Sequence, residues 1–108
     1  MPHYMVQGGY TAETWARLVK APEDREAVVR KILEGAGGKL EALYYTFGQD
    51  DFVGLFEASD NTTAAGLAIA ITASGAFRSF RTTPLMTTQE AMAAMRRAGQ
   101  VGYRPPGT

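Results

Sequence analysis

Few side chains of this sequence could carry chemistry, and they are widely spaced. His3 is the only histidine, and an imidazole can transfer protons near neutral pH. Tyr45 and Arg81, in later strand-like segments, are the side chains that we expect to act with it. We therefore predict a ligand pocket between a sheet and its helices that includes His3, Tyr45 and Arg81. A single histidine at a strand end is more often structural, so no catalytic residue is assigned.

Two adjacent acids, Asp50 and Asp51, follow Gly48 and Gln49 in the middle of the chain. Paired carboxylates can divide acid and base roles, but neighbouring residues of a strand point to opposite faces. Aspartate side chains also stabilise turns through hydrogen bonds to the backbone. We therefore interpret Gly48, Gln49 and Asp50 as a structural turn.

The residues needed for metal or cofactor chemistry are sparse. There is no cysteine, and neither the single histidine nor the spacing of the carboxylates matches a metal-ligand pattern. The segment from Gly35 to Lys39 is rich in glycine, but it leaves a helix, whereas a phosphate-binding loop enters one. The sequence thus predicts no metal site and no cofactor.

Charge and hydropathy limit the expected partners. The formal net charge is zero, with 11 basic and 11 acidic residues, so no basic surface for nucleic acid is expected. The longest apolar run, residues 64–73, is about half of the ~20 residues that a membrane span needs. The first residues lack the pattern of a signal peptide. We expect a soluble cytoplasmic protein that binds neither nucleic acid nor membrane.

The elements that must position these residues follow from periodicity and capping signals. In order, they are a strand at 3–8, helices that open at Thr11 and at Pro22, strands at 39–47 and 51–58, a helix at 62–74, a strand at 77–86 and a helix from Thr87 to Ala98. This β-α-β-β-α-β order with one added helix is the ferredoxin-like arrangement of an α+β protein, and right-handed crossovers give the strand order 4-1-3-2. Residues 1–98 form one domain, and 99–108 are expected to be a flexible tail.

Two features predict self-association. Strand 51–58 is apolar on both faces, with Phe52, Gly54 and Phe56 alternating with Val53 and Leu55. Strand 39–47 repeats the pattern, with Leu40, Ala42 and Tyr44 facing away from Leu43, Tyr45 and Phe47. Helices cover one sheet face in this fold, and the helix at 62–74 has no charged residue, which is typical of burial. We expect a homo-oligomer, a dimer or a multiple of dimers, although such residues can also stay exposed.

Several motifs are shared with one family: Met1-Pro2-His3-Tyr4, the helix opening at Thr11, Gly37-Gly38-Lys39-Leu40, the hairpin from Tyr44 to Ala58, the alanine-rich helix after Asp60, and Arg81-Thr82-Thr83. On these motifs, spread over residues 2–90, the chain resembles GYD-domain proteins. It departs from them at Gln49, which stands where the Gly-Tyr-Asp turn has tyrosine. The resemblance implies a small bacterial protein of the dimeric α+β barrel group, with no established activity.

Two functions are compatible with these residues. The first is a non-catalytic protein that binds a small ligand or a partner between its sheet and helices. The alternative is a cofactor-free enzyme, such as a small monooxygenase or isomerase of the dimeric α+β barrel type, that uses His3 with Tyr45 or Arg81. The lack of a coupled set of titratable residues favours the first.

Overall fold

The computed structural model describes all 108 residues, which form four strands and four helices. The strands are β1 (His3–Tyr10), β2 (Lys39–Tyr45), β3 (Phe52–Glu57) and β4 (Phe77–Leu85). The helices are α1 (Ala12–Lys20), α2 (Arg25–Gly35), α3 (Asn61–Ala73) and α4 (Thr88–Ala98). The strands form one antiparallel sheet in the order β2-β3-β1-β4, which confirms the predicted topology and the ferredoxin-like α+β fold. None of the helices has both the length and the apolar character of a membrane span.

Side-chain caps fix where most helices begin. Thr11 accepts a hydrogen bond from the backbone of the first turn of α1, and Asp60 does the same for α3. Thr87 and Glu90 form the predicted capping box of α4, in which each side chain accepts from the other residue's backbone N–H. These local signals are readable in the sequence, and they set the element order.

The start of α2 differs from the prediction. The sequence suggests that this helix opens at Pro22, but it begins at Arg25. The reason is Asp24, whose carboxylate accepts a hydrogen bond of 3.1 Å from the backbone N–H of Glu26 and so caps the helix. Two residues, Glu23 and Asp24, therefore separate the proline from the helix.

The prediction of which β2 residues share a sheet face is wrong, because the strand contains a β-bulge. The register passes from Leu40 directly to Ala42 across successive residues of β3, so Glu41 is an extra residue without a partner of its own. Leu40 therefore shares a face with Leu43 and Tyr45, and not with Ala42 as strict alternation predicts. The bulge aims the Glu41 carboxylate at the first residue of β1.

A second irregularity lies where β1 pairs with the start of β4. Gly9 pairs with Ser79 and Tyr10 pairs with Phe77, so Arg78 is left out of the register. A side chain at Gly9 would collide with the guanidinium of Arg78, which lies directly over the glycine. The absence of a Cβ at Gly9 thus lets Arg78 cross the strand toward the β2–β3 hairpin.

The core lies between one sheet face and helices α2 and α3, and its buried members are Tyr4, Leu33, Leu40, Phe56, Ala58 and Ala64. Tyr4 is 1% exposed and stacks on Phe56 at a centroid distance of 5.3 Å. Its hydroxyl donates a 2.7 Å hydrogen bond to the side-chain oxygen of Asn61 in the first turn of α3. This bond satisfies the one polar atom of an otherwise apolar cluster.

The opposite sheet face, which we call the open face, carries His3, Met5, Gln7, Ala42, Tyr44, Val53, Leu55, Arg81 and Thr83. Helices α2 and α3 both pack on the other side, and none of these residues is buried. Helix α4 has no buried residue either. The radius of gyration is 17.5 Å, whereas a compact chain of this length has about 13 Å. The molecule is therefore elongated, with extents of 59 × 34 × 23 Å along its principal axes.

Candidate functional site

A cavity of about 340 Å³ lies between the sheet and helices α2 and α3. The small side chains of Ala64 and Ala68 line it on α3, and the Val6 and Leu43 side chains lie beside Gly54 on the sheet. Ile32 and Tyr45 also line it and are each 50% exposed, so the cavity is open to solvent.

The cavity wall is predominantly apolar, since 17 of its 21 lining residues are hydrophobic. Val6 and Phe56 contribute from the sheet, Val29 and Ile32 from α2, and Leu67 from α3. Such a wall offers a ligand dispersion contacts and release of water rather than hydrogen bonds. A molecule that fills it must therefore be largely apolar.

Aromatic rings gather at the end of the cavity nearest α1. Tyr10 is the central ring, with Trp15 edge-on at 5.1 Å, Phe77 at 5.2 Å and Phe52 at 5.6 Å between centroids. Edge-to-face and tilted pairs at these distances are the favourable arrangements of aromatic quadrupoles. This cluster holds the cavity end rigid and fixes the position of the Tyr10 hydroxyl.

Two tyrosine hydroxyls and an arginine form the polar end of the cavity. The hydroxyl oxygens of Tyr10 and Tyr45 are 3.3 Å apart, and Arg25 also lines the cavity here. Burial raises the pKa of Tyr10 well above its usual value, the hydrogen bond with Tyr45 adds to this, and Arg25 opposes it in part. Tyr10 therefore stays a neutral hydrogen-bond donor throughout the physiological range.

The wall contains one polar atom without a partner. The Thr82 hydroxyl oxygen, on β4, is buried and makes no hydrogen bond. An unsatisfied buried polar group costs about 1–3 kcal/mol, so such atoms are rare unless something else satisfies them. Thr82 lines the cavity, although its hydroxyl oxygen is itself buried.

Asp51 joins the hairpin to the aromatic end of the cavity. One carboxylate oxygen accepts the backbone N–H of Tyr10 at 2.9 Å and the indole N–H of Trp15 at 3.0 Å. The other oxygen is 3.5 Å from the guanidinium of Arg78. Burial by itself would raise the pKa of Asp51, but these hydrogen bonds and the arginine outweigh it and lower that pKa below its usual value.

The predicted pocket residues are not brought together. Tyr45 lines the cavity, as the pocket prediction requires. His3 and Arg81 lie instead on the open face, because they alternate along their strands with Tyr4 and Thr82, which face the helices. The combination of His3 or Arg81 with Tyr45 in one catalytic unit therefore has no support in the geometry.

His3 has partners that sequence spacing did not indicate. Its Nδ1 is 2.7 Å from Glu41 Oε1, and its Nε2 is 4.0 Å from Glu57 Oε1. Ligand atoms from these three residues lie within 4.8 Å of one another, so they are the group in this protein that could hold a divalent cation. Glu57 is the cross-strand partner of His3, and Glu41 arrives through the bulge. Pairing across strands, rather than spacing along the chain, creates this cluster.

The turn predicted at Gly48, Gln49 and Asp50 lies in a loop of residues 46–51 that joins β2 to β3. Arg78 donates a 2.9 Å hydrogen bond to the backbone carbonyl of Gln49. Arg81 donates to the Asp50 carboxylate, also at 2.9 Å. Gln49 thus contributes its backbone to the loop, and both arginines of β4 tie the hairpin to the sheet.

The solved structures include a similar fold. The crystal structure of MtbAldR superposes with a TM-score of 0.60 at 15% sequence identity, covering 80% of this chain and 53% of that one. At this identity the likeness shows the fold alone, and the chain spans about half of the MtbAldR structure. No curated protein matches the sequence.

The family comparison agrees with the motifs of the hairpin and the strand after α3. The model described as the GYD domain matches residues 4–95, which include all four strands except the first residue of β1, and every residue that lines the cavity. The chain belongs to the GYD-domain family.

Proposed function

We propose that this protein binds a small, largely apolar molecule in the cavity between its sheet and helices, without catalysis. The observation that carries the proposal is the apolar wall around about 340 Å³. Ligand pockets typically measure about 300–1,000 Å³ and combine apolar walls with a few polar groups at fixed positions. Tyr10, Tyr45 and Arg25 supply those groups here.

The geometry also supports a binding role over a catalytic one. A proton-transfer catalyst needs a group whose pKa lies near the working pH. The tyrosine pair does not offer one, because the pKa of Tyr10 is raised further from neutrality. A guanidinium has no acceptor atom and is not a proton-transfer group in proteins. These side chains are suited to hold and orient a ligand.

A cavity-filling substitution tests the proposal. Ala68 faces the cavity from α3, so Ala68→Phe should fill part of the space, whereas Ala65 on the same helix is exposed and outside the wall. Binding of the neutral probe N-phenyl-1-naphthylamine would be titrated by fluorescence for the wild type and both variants. We expect Ala68→Phe to weaken binding at least tenfold and Ala65→Phe to leave it unchanged.

Stability separates blocking of the cavity from damage to the fold. Filling a void buries additional apolar carbon, at about 0.8 kcal/mol per methylene, so Ala68→Phe should unfold at an equal or higher urea concentration than the wild type. Equal probe affinity in the wild type and in a folded Ala68→Phe variant would show that the cavity is not the binding site.

We further propose that two copies associate through their open faces. The support is a set of apolar side chains, Met5, Val53 and Leu55, on the sheet face that α2 and α3 leave uncovered. Two-fold pairing of one surface with itself is the commonest way to bury such a patch.

We also propose that the protein is cytoplasmic, since a chain without cysteine suits a reducing compartment.

Sedimentation of the wild type and of charge variants tests this association. Leu55→Asp places a carboxylate in the middle of the open face and should shift the protein to a monomer. Val19→Asp is the matched control, because Val19 is exposed on α1, away from that face. A wild type that sediments as a monomer at micromolar concentration would contradict the proposal.

A further inference from the structure

Only one of the side chains that line the cavity is charged. Arg25, the first residue of α2, is the single ionised group among the 21 lining residues. Arg25 interacts electrostatically with the Tyr10 hydroxyl, so it lies at the end of the cavity where the Tyr10 and Tyr45 hydroxyls meet. The cavity therefore has an apolar body and one polar end, where the Arg25 guanidinium pairs with Glu23.

We propose that the ligand of this cavity is an amphipathic carboxylate, whose single anionic group binds the Arg25 guanidinium while its apolar part fills the space beneath α3. This inference rests on the proposed binding function and specifies the chemical class of the ligand. The N-terminus of α2 is already capped by the Asp24 carboxylate, so the guanidinium of Arg25, and not the helix end, is the partner of the anionic group.

The hydrogen bonds of Arg25 leave room for such a group. Its Nη1 donates to the exposed carboxylate of Glu23 at 3.0 Å, and the guanidinium also contacts the Tyr10 hydroxyl. A guanidinium has five N–H donors, so most of them are available. A neutral ligand that displaced water from these donors would leave them unsatisfied, which is costly for a charged group. A carboxylate accepts two parallel hydrogen bonds from one guanidinium and restores them.

The tyrosine pair provides a further donor for the same group. When one hydroxyl of the Tyr10–Tyr45 pair donates to the other, the second hydroxyl keeps its own hydrogen free. That hydrogen can be donated to a carboxylate oxygen. Arg25 is the only cation of the wall and pairs with the 51% exposed carboxylate of Glu23, so a ligand carboxylate can take the place of Glu23 on the guanidinium, whereas a phosphate dianion would add a second negative charge.

A pair of probes that differ only in the head group tests this inference. 4-Phenylbutanoate and 4-phenylbutanamide share one apolar body, and their affinities for the full-length protein at pH 7.5 would be measured by calorimetry. We expect the carboxylate to bind about tenfold more tightly, because charge-assisted hydrogen bonds are about twice as strong as neutral ones. Arg25→Gln should remove that preference, and Arg25→Lys, which keeps the charge without the planar fork, should retain part of it.

Arg17→Gln is the matched control, since Arg17 is an exposed arginine on α1 that also faces one glutamate, Glu13. It should leave both affinities unchanged. Equal binding of the two probes, or a preference that survives Arg25→Gln, would overturn the carboxylate inference and leave the apolar binding function intact. If neither probe bound, while the neutral naphthylamine also failed to bind, the binding function itself would be refuted and this inference with it.

Discussion

Replacing Asp51 with alanine removes an acceptor that three groups share. The Tyr10 backbone N–H is buried, and without the carboxylate it would remain unsatisfied at a cost of about 1–3 kcal/mol. The indole N–H of Trp15 is on a residue that is 36% exposed, so water can replace the lost bond and the net loss there is about 0.5–1 kcal/mol. The Arg78 contact, at 3.5 Å on an exposed guanidinium, adds at most about 1 kcal/mol.

Together these terms predict that Asp51→Ala lowers the free energy of unfolding by about 2–4 kcal/mol, a large part of the ~5–15 kcal/mol that a domain has. Asp50→Ala is an adjacent control with the same chemistry. The carboxylate of Asp50 pairs with Arg81, which is 61% exposed, and such surface pairs contribute about 0–1 kcal/mol. The two alanine variants should therefore differ several-fold in their effect.

Urea unfolding monitored by intrinsic fluorescence suits this comparison, because Trp15 is the only tryptophan and directly contacts Asp51. The native emission of Asp51→Ala should also shift, since its indole N–H loses a charged acceptor. Equal unfolding midpoints for Asp50→Ala and Asp51→Ala, with equal dependence on urea, would refute the role assigned to Asp51.

Two further predictions concern acid stability and a close backbone contact. The pKa of Asp51 is lowered in the folded protein, so its contribution to stability is complete above the unfolded pKa of about 3.9 and is lost as the pH falls through the folded pKa. The urea midpoint of Asp51→Asn should therefore fall less between pH 6 and pH 3 than the midpoint of the wild type. Parallel pH curves for the two proteins would contradict this role of the Asp51 carboxylate. A Cβ at Gly38 would collide with the backbone carbonyl of Glu57, so Gly38→Ala should lower the free energy of unfolding by about 1–3 kcal/mol. Gly35 is the control, because it lies at an open position. Gly35→Ala should leave the free energy of unfolding unchanged or raise it by up to about 1 kcal/mol in the same experiment.

The element order and sheet topology could be predicted because their signals are local. Caps such as Thr11 and Thr87 depend on residues within one helical turn, and the alternation in β3 spans six residues. The facing of β2 could not be predicted in the same way. Its bulge at Glu41 depends on how β2 pairs with β3, and no glycine or proline within the strand marks it.

The candidate site was predictable only in part for a related reason. Tyr45 lies on the predicted face of the sheet, but placing His3 requires knowing which face of β1 the helices cover. Apolar residues on both faces of the central strands leave that choice open in the sequence. The polar end of the cavity joins Tyr10, Tyr45 and Arg25 from three elements, and only their tertiary packing brings them together.

The two bulges make this sheet unusually tolerant of shortening at defined places. A deletion inside a strand normally turns every later side chain to the wrong face. Without Glu41, however, Leu40 and Ala42 would become neighbours in a regular ladder, and Leu43 and Tyr45 would still face the cavity. Removing Leu43 instead would turn Tyr45 away from it. Homologous chains that differ by one residue in β2 can therefore share one core and one cavity, provided that the gap falls at the bulge.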